Sequence, residues 1–377
     1  MSTRRSFRPA AGVCGAALVV GCGTTAPGSA STPACGSTDA LWVASDYSSS
    51  AVGALARSGA TTSTVGRVDL GADPVLAVSR GRAFFVARDT DTVFELDPTC
   101  GAPMASYSVH LASHTGSSDP YDVAVATDGS LWVPLFEAAA ILVLSPSGEV
   151  ARTIDLSSYD ADGNPDASAI AIVDTPAGEK AFVALDRLNP YPRSVQPSWM
   201  LRVDVASGAV ETHVELAGRN PFGTMENDEG TLWLAEPGNF DDATEAQAGV
   251  ERFDTSASTS ALVVSEVDLG GSVAQVSVSA GCGVAIVADA TTANATSLAL
   301  FDPTTGHALA PASSSPLSTE GFDLEGLAWS GGALLVGDRR RASSGYPVHV
   351  FDGACAPVER ADEVFLPLPP IAISVVP

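Results

Sequence analysis

The sequence predicts an all-β chain: a seven-bladed β-propeller of four-stranded blades, closed by the C-terminal strand pairing into the first blade. Three observations carry this. First, a short apolar run ending in an acidic residue recurs seven times: LWVASD (Leu41–Asp46), FFVARD (Phe84–Asp89), LWVPLFE (Leu131–Glu137), AFVALD (Ala181–Asp186), LWLAE (Leu232–Glu236), VAIVAD (Val284–Asp289) and ALLVGD (Ala333–Asp338). Second, successive starts lie 43 to 52 residues apart, the repeat length of a four-stranded propeller blade. Third, 35 glycines and 25 prolines supply turns throughout, and no window carries a helical apolar stripe.

Each run reads as the second strand of a blade. A third strand follows and ends in a turn, as in VFELDPTCG, MLRVDVASG and LALFDPTTG. Asp opens that turn and Gly closes it, each for its own conformational reason. Another strand and a tight turn precede each run. In DPYDVAVATDGSLWV the hairpin signal is Asp128-Gly129. Only the first blade lacks its innermost strand. After Pro370 the chain ends in Ile371-Ala372-Ile373-Ser374-Val375, the same type as Val75–Ser79. Seven second strands therefore need this last strand to complete blade 1, which also removes an open sheet edge. Over residues 40–377 the pattern resembles the YVTN/NHL-type propellers, whose blades read roughly P-x-x-V-A-V…DG-x-L-W-V-A…V-x-V-I-D…G. That resemblance implies the fold and leaves the activity open, because such propellers host many roles.

Composition excludes several classes. The 377 residues carry a formal charge of −25, which disfavours nucleic acid and anionic lipid as partners. With 45% hydrophobic and 17% charged residues, the chain is not disordered. Six cysteines are too few for a disulfide-built mini-scaffold.

Residues 1–21 read as a signal peptide. Arg4, Arg5 and Arg8 form its basic region, and the apolar stretch 10–21 is too short to span a bilayer. The stretch ends in Val19-Val20-Gly21-Cys22, which resembles the bacterial lipobox. The resemblance implies that the Cys22 thiol takes a diacylglycerol and becomes the mature N-terminus; the alternative is an ordinary signal peptide cut further along. Thr3-Arg4-Arg5-Ser6-Phe7 resembles a twin-arginine export motif, so the export route stays open between two systems. Gly23 stands where inner-membrane lipoproteins carry Asp, implying outer-membrane sorting in a Gram-negative host. Residues 22–39, rich in Gly, Ser, Thr and Pro, read as a flexible tether.

Cys35 and Cys282 each precede a second strand; Cys100 and Cys355 each follow a third strand one blade later. Their separations are similar, 65 and 73 residues. Only the pairing Cys35–Cys100 and Cys282–Cys355 treats the two sets as equivalent. Export to an oxidising compartment makes disulfides reasonable, with four free thiols as the alternative.

No hydrolase, phosphate-loop or zinc-protease motif is present. The five histidines (His110, His114, His213, His307, His349) show no ligand spacing and read as surface or packing residues. The His-x-Glu-x-His arrangement of streptogramin lyases, which share the seven-bladed form, is missing. The acids ending the second strands could form an acidic rim, or each could cap its own turn. Aligning blades on their hairpins places Asp122, Gln275 and Glu325 at equivalent positions near the start of the innermost strands, with Gly223 at that place in blade 5. There they would face the channel mouth. Glu325-Gly326 with Trp329 loosely resembles the EGP-x-W segment of the gluconolactonase/senescence-marker family, where the glutamate binds a divalent metal, although Leu327 replaces the proline. Oxygen ligands of this kind would suit Ca²⁺ or another divalent cation; the alternative is a solvated channel with no cofactor. Two functions follow: a non-catalytic binding or scaffolding module of the bacterial envelope with an unidentified protein or small-molecule partner, or a metal-dependent hydrolase or lactonase. The anchoring expectation is testable. Wild-type protein is expected to partition with membranes, and the Cys22→Ser protein to lose its lipid and remain in the aqueous phase. An unmodified N-terminus beyond residue 30 in mass spectrometry would overturn it.

Overall fold

The computed structural model describes residues 40–56, 61–67, 70–279, 281–289, 295–353, 355–360 and 364–376. The signal peptide, tether, Cys22 and Cys35 lie outside the described residues. Seven antiparallel sheets follow one another around a ring. From the inside outward, blade 2 is built of Pro74–Ser79, Arg82–Ala87, Thr92–Leu96 and Pro103–Ser108, and the other blades repeat this plan. Blade 7 divides its outermost position between Val358–Glu359 and Val364–Leu366, which both pair with Tyr346–Asp352.

The C-terminal strand closes the ring as the strand count requires. Pro370–Ser374 pairs antiparallel with Ala40–Ser45, setting Leu41 opposite Ser374, Trp42 opposite Ile373 and Val43 opposite Ala372. Blade 1 thus takes its inner strand from the chain end and the other three from its beginning.

The second strands are apolar at every position because both faces of every blade are buried. Side chains alternate across a strand, and each face of a blade meets a neighbouring blade. In blade 1, Trp42 and Ala44 pack on blade 7, whereas Leu41 and Val43 pack on blade 2. The buried apolar residues accordingly form seven clusters, one between each pair of adjacent blades. Facing sheets that interdigitate in this way give continuous apolar runs instead of the alternation of a half-exposed sheet.

The turns between third and fourth strands follow the expected chemistry. Asp97 accepts from the Thr99 amide at 2.8 Å, and Asp302 from the Thr304 amide at 2.8 Å. Gly101 and Gly306 close those turns at φ 76° and 72°, where a Cβ would be strained. Cys282 and Cys355 form a disulfide with Cα atoms 5.5 Å apart, in the usual range, and it ties blade 6 to blade 7. Cys100 is also disulfide-bonded; its expected partner, Cys35, is outside the described residues.

Deleting residues 368–377 is expected to strip blade 1 of its inner strand and uncover the blade 7–1 cluster. Leu368, Ile371 and Ile373 are all buried, so the loss should be on the order of 5 kcal/mol or more. Thermal melting checks this: the truncated chain should aggregate or melt far below wild type, and an unchanged melt would refute the closure.

Candidate functional site

Inner strands from all seven blades line one cavity of ≈ 580 Å³, within the size range of small-molecule sites. Asp122, Gln275 and Glu325 all line it, as does Gly223. The blade alignment therefore brings together residues far apart in sequence. Their side chains, however, engage groups of the protein itself.

Asp122 is 4% exposed. Its Oδ1 accepts from the Val123 amide at 2.8 Å and its Oδ2 from the Ile170 amide of blade 4 at 3.0 Å. Burial lifts this carboxyl to about 7, against the lowering effect of the two amides. Gln275 makes the corresponding bond one junction before the closing blade: its Oε1 accepts from the Gly326 amide of blade 7 at 3.0 Å. Two further residues make bonds of the same kind. Ser79 Oγ accepts from the Val125 amide at 3.0 Å, and Glu226 Oε2 from the Val278 amide at 3.1 Å. Glu226 was not legible in the sequence because the blade 5 register shifts between Phe222 and Glu226. Beyond that bulge Glu226 stands three residues after Gly223, and its donor Val278 lies near the end of the next inner strand.

Glu325 departs from this pattern and pairs with Arg339. Burial raises its carboxyl to about 7, opposed by the pull of Arg339. The Arg339 guanidinium lies 5.2 Å from the Tyr47 ring centroid. A second, similar set stands beside it. Arg88 grips both oxygens of Asp119 at 2.8 and 2.9 Å, pairs with Asp73 at 3.1 Å and lies 4.1 Å from the Tyr121 ring centroid. The mouth thus presents two arginine–tyrosine sets whose cations are already neutralised by carboxylates. Such a surface can bind a polar ligand through aromatic faces and spare donors. Among the described residues no group of three or more His, Cys, Asp or Glu side chains is placed to hold a metal ion.

The acids ending the second strands do not share one environment. Asp46, whose loop returns within residues 46–49, is exposed and accepts from the Ser48 and Ser49 amides at 3.0 and 2.8 Å. Asp89 and Glu137 lie within equally short connections, residues 88–91 and 136–139, and are exposed. Asp186, Glu236 and Asp338 precede longer loops and are buried, so a uniform acidic rim does not form. Asp338 Oδ2 lies 3.1 Å from His349 Nε2, and His349 Nδ1 lies 2.6 Å from Glu359 Oε1. His349 is therefore a buried electrostatic link within blade 7, a role its isolated place in the sequence did not reveal. Burial alone would depress its ring, but the two carboxylates outweigh that and raise it.

No family model matches the chain and no curated protein matches it. Solved structures do. A candidate 6-phosphogluconolactonase from Bacteroides uniformis superposes with a TM-score of 0.57 at 11% identity, covering 89% of this chain and 99% of that one. AztD in its apo form from Citrobacter koseri gives 0.52 at 13%, covering 89% and 96%. A streptogramin B lyase gives 0.51 at 12%, covering 78% and 83%. At such identities the likeness is one of fold, and it places this chain among the β-propellers without assigning it an activity.

Proposed function

We propose that this chain is an exported, lipid-anchored propeller of YVTN/NHL type that serves the bacterial envelope as a non-catalytic binding or scaffolding module. Its ligand is taken at the channel mouth. The observation that carries this reading is the use the channel makes of its polar groups. Asp122 and Gln275 spend acceptors on the amides of the next blade, and Glu325 is committed to Arg339. Groups held this way keep the ring together. The arginine–tyrosine sets and the loops above them remain as a recognition surface. Lipidation at Cys22 and outer-membrane sorting through Gly23 belong to the same proposal, supported by the lipobox-like segment before Cys22.

One observation favours the alternative, a metal-dependent hydrolase or lactonase: Asp122 and Glu325 line the same cavity. Melting in the presence of Ca²⁺, Mg²⁺ or Mn²⁺ separates the two readings, because a cation that binds only the folded chain raises its melting temperature. The binding-module reading expects no rise. A rise that Glu325→Gln abolishes would transfer the site to the hydrolase reading.

A further inference from the structure

A pair of fully buried acids lies away from the channel, at the junction of blades 4 and 5. Glu236 ends the second strand of blade 5, Thr231–Glu236, and Glu251 lies on the neighbouring strand Gly249–Asp254, opposite Leu234. Glu236 is two residues beyond Leu234, so both glutamates project from the same face. That face packs on blade 4: Leu232, Leu234 and Phe253 share a cluster with Phe182 and Ala184. Both glutamates are 0% exposed. Neither oxygen of Glu236 has a hydrogen-bond partner among the described residues, and Glu251 Oε1 has none. Glu251 Oε2 accepts from the Gly218 amide at 2.6 Å.

Among the described residues no cation pairs with either glutamate. Asp186 of blade 4 faces Glu236, and Asp166 in turn faces Asp186, adding negative charge. Tyr121 of blade 3 also neighbours Asp186. Arg219 follows Gly218 in the crossover, but among the described residues it makes no ion pair with either glutamate, and its Nε is itself buried without a partner. The glutamate cannot swing outward, because the crossover covers it closely. A Cβ on Gly218 would come within 2.7 to 2.9 Å of Glu236 side-chain carbons.

This junction is also the root of the two longest connections between second and third strands, residues 186–198 in blade 4 and 237–248 in blade 5. The loops are tied to each other: Ser194 and Asn239 exchange hydrogen bonds at 3.1 Å in both directions, and Arg193 pairs with Asp241. Asn220, in the same crossover as Gly218, ties both roots. Its amide donates to Ser198 Oγ at 2.9 Å and its Nδ2 to the Gly238 carbonyl at 2.7 Å. The loops expose Tyr191 and Val195, at 63% and 56%, beside the mouth.

We propose that Glu236 and Glu251 form a proton-operated latch: both hold a proton in the closed propeller, and ionisation, with the protons passing to water, releases the crossover and with it the two rim loops. Two uncompensated charges at this depth cost more than the packing around them can offset, so the junction closes only on the neutral acids. Burial, and for Glu236 the nearby Glu251 and Asp186, shifts both carboxyls upward. A carboxyl raised in the folded state stabilises the fold below its unfolded pKa and loses that contribution as pH rises through the folded one. The latch is therefore closed at mildly acidic pH and loosens toward alkaline pH. The inference goes beyond the binding-module reading and stands whether or not the mouth takes a ligand.

Hydrogen exchange on the purified chain between pH 5 and pH 8, corrected for intrinsic rates, tests it. Protection of residues 186–198 and 237–248 is expected to fall with pH, by about tenfold per pH unit for each proton released, while the amides of blade 2 hold theirs. Glu236→Gln, which leaves Glu251 as the titrating partner, is expected to lose protection with a shallower pH dependence than wild type and to stay better protected at pH 8. If that variant does not fold, Glu251→Gln carries the same expectation. Equal protection of the wild-type loops at both pH values would overturn the proposal. So would a Gln variant that opens as wild type does. Restoration of protection at pH 8 by millimolar Ca²⁺ would overturn it too, by showing that a cation neutralises the junction and not a proton.

Discussion

The pairing of Pro370–Ser374 with Ala40–Ser45 is the constraint on which the rest of the molecule depends. Every blade is apolar on both faces, so every blade needs two neighbours. An open row of seven such sheets would leave two apolar faces uncovered; a ring leaves none. The cluster between blades 7 and 1 is drawn from both chain ends, with Trp42 and Ala44 meeting Leu366, Leu368 and Ile373. The disulfide Cys282–Cys355 secures the blade that precedes this joint, where opening would begin.

Closure also explains why polar residues stand in an otherwise apolar wall. The inner strands converge on the cavity and do not form a sheet with one another, so amides on their edges need partners from elsewhere. Ser79, Asp122, Glu226 and Gln275 supply them, each reaching the next blade in chain order. An inner-strand carboxylate that looks like a ligand in the sequence is here an acceptor that holds two blades together. Arg88 and Arg339 belong to a different level of organisation. They arise from the loops after second strands and carry their charge to the mouth with their own carboxylates attached.

The fold was legible because burial on both faces leaves an unusually plain mark: seven uninterrupted apolar runs at one spacing, with a missing inner strand that only the C-terminus could supply. The Cys282–Cys355 disulfide was legible from the same periodicity. The environment of each site residue was not. Asp122 and Glu325 occupy like positions, yet one meets an amide of the next blade and the other an arginine from a loop. Spacing along the chain says nothing about which of these lies across the ring. Glu226 was hidden by a bulge that shifts the register inside blade 5. The strand-ending acids show the same limit: Asp46 and Glu236 have the same place in the repeat, but one is on the surface and the other fully enclosed. The length of the loop that follows decides which, since a tight return leaves the acid in water and a long loop folds over it.

Long loops on blades 4 and 5 are tolerable because the ring is closed without them. Each doubling of loop length adds only about 0.6 kcal/mol of closure entropy, small against the burial between blades. The rim can therefore vary while the blades beneath it stay fixed, and exposed recognition surfaces arise where a rigid scaffold carries such loops. What the loops cannot escape is the chemistry of their roots. By covering Asp186 and Glu236 they remove two acids of the repeat from water, and Arg219, in the crossover that covers Glu236, makes no ion pair with it among the described residues. Blades 1 to 3, with short returns, never meet this problem. The polar groups left unsatisfied between blades 4 and 5 thus follow from placing an extended rim on a repeat whose strands end in carboxylates.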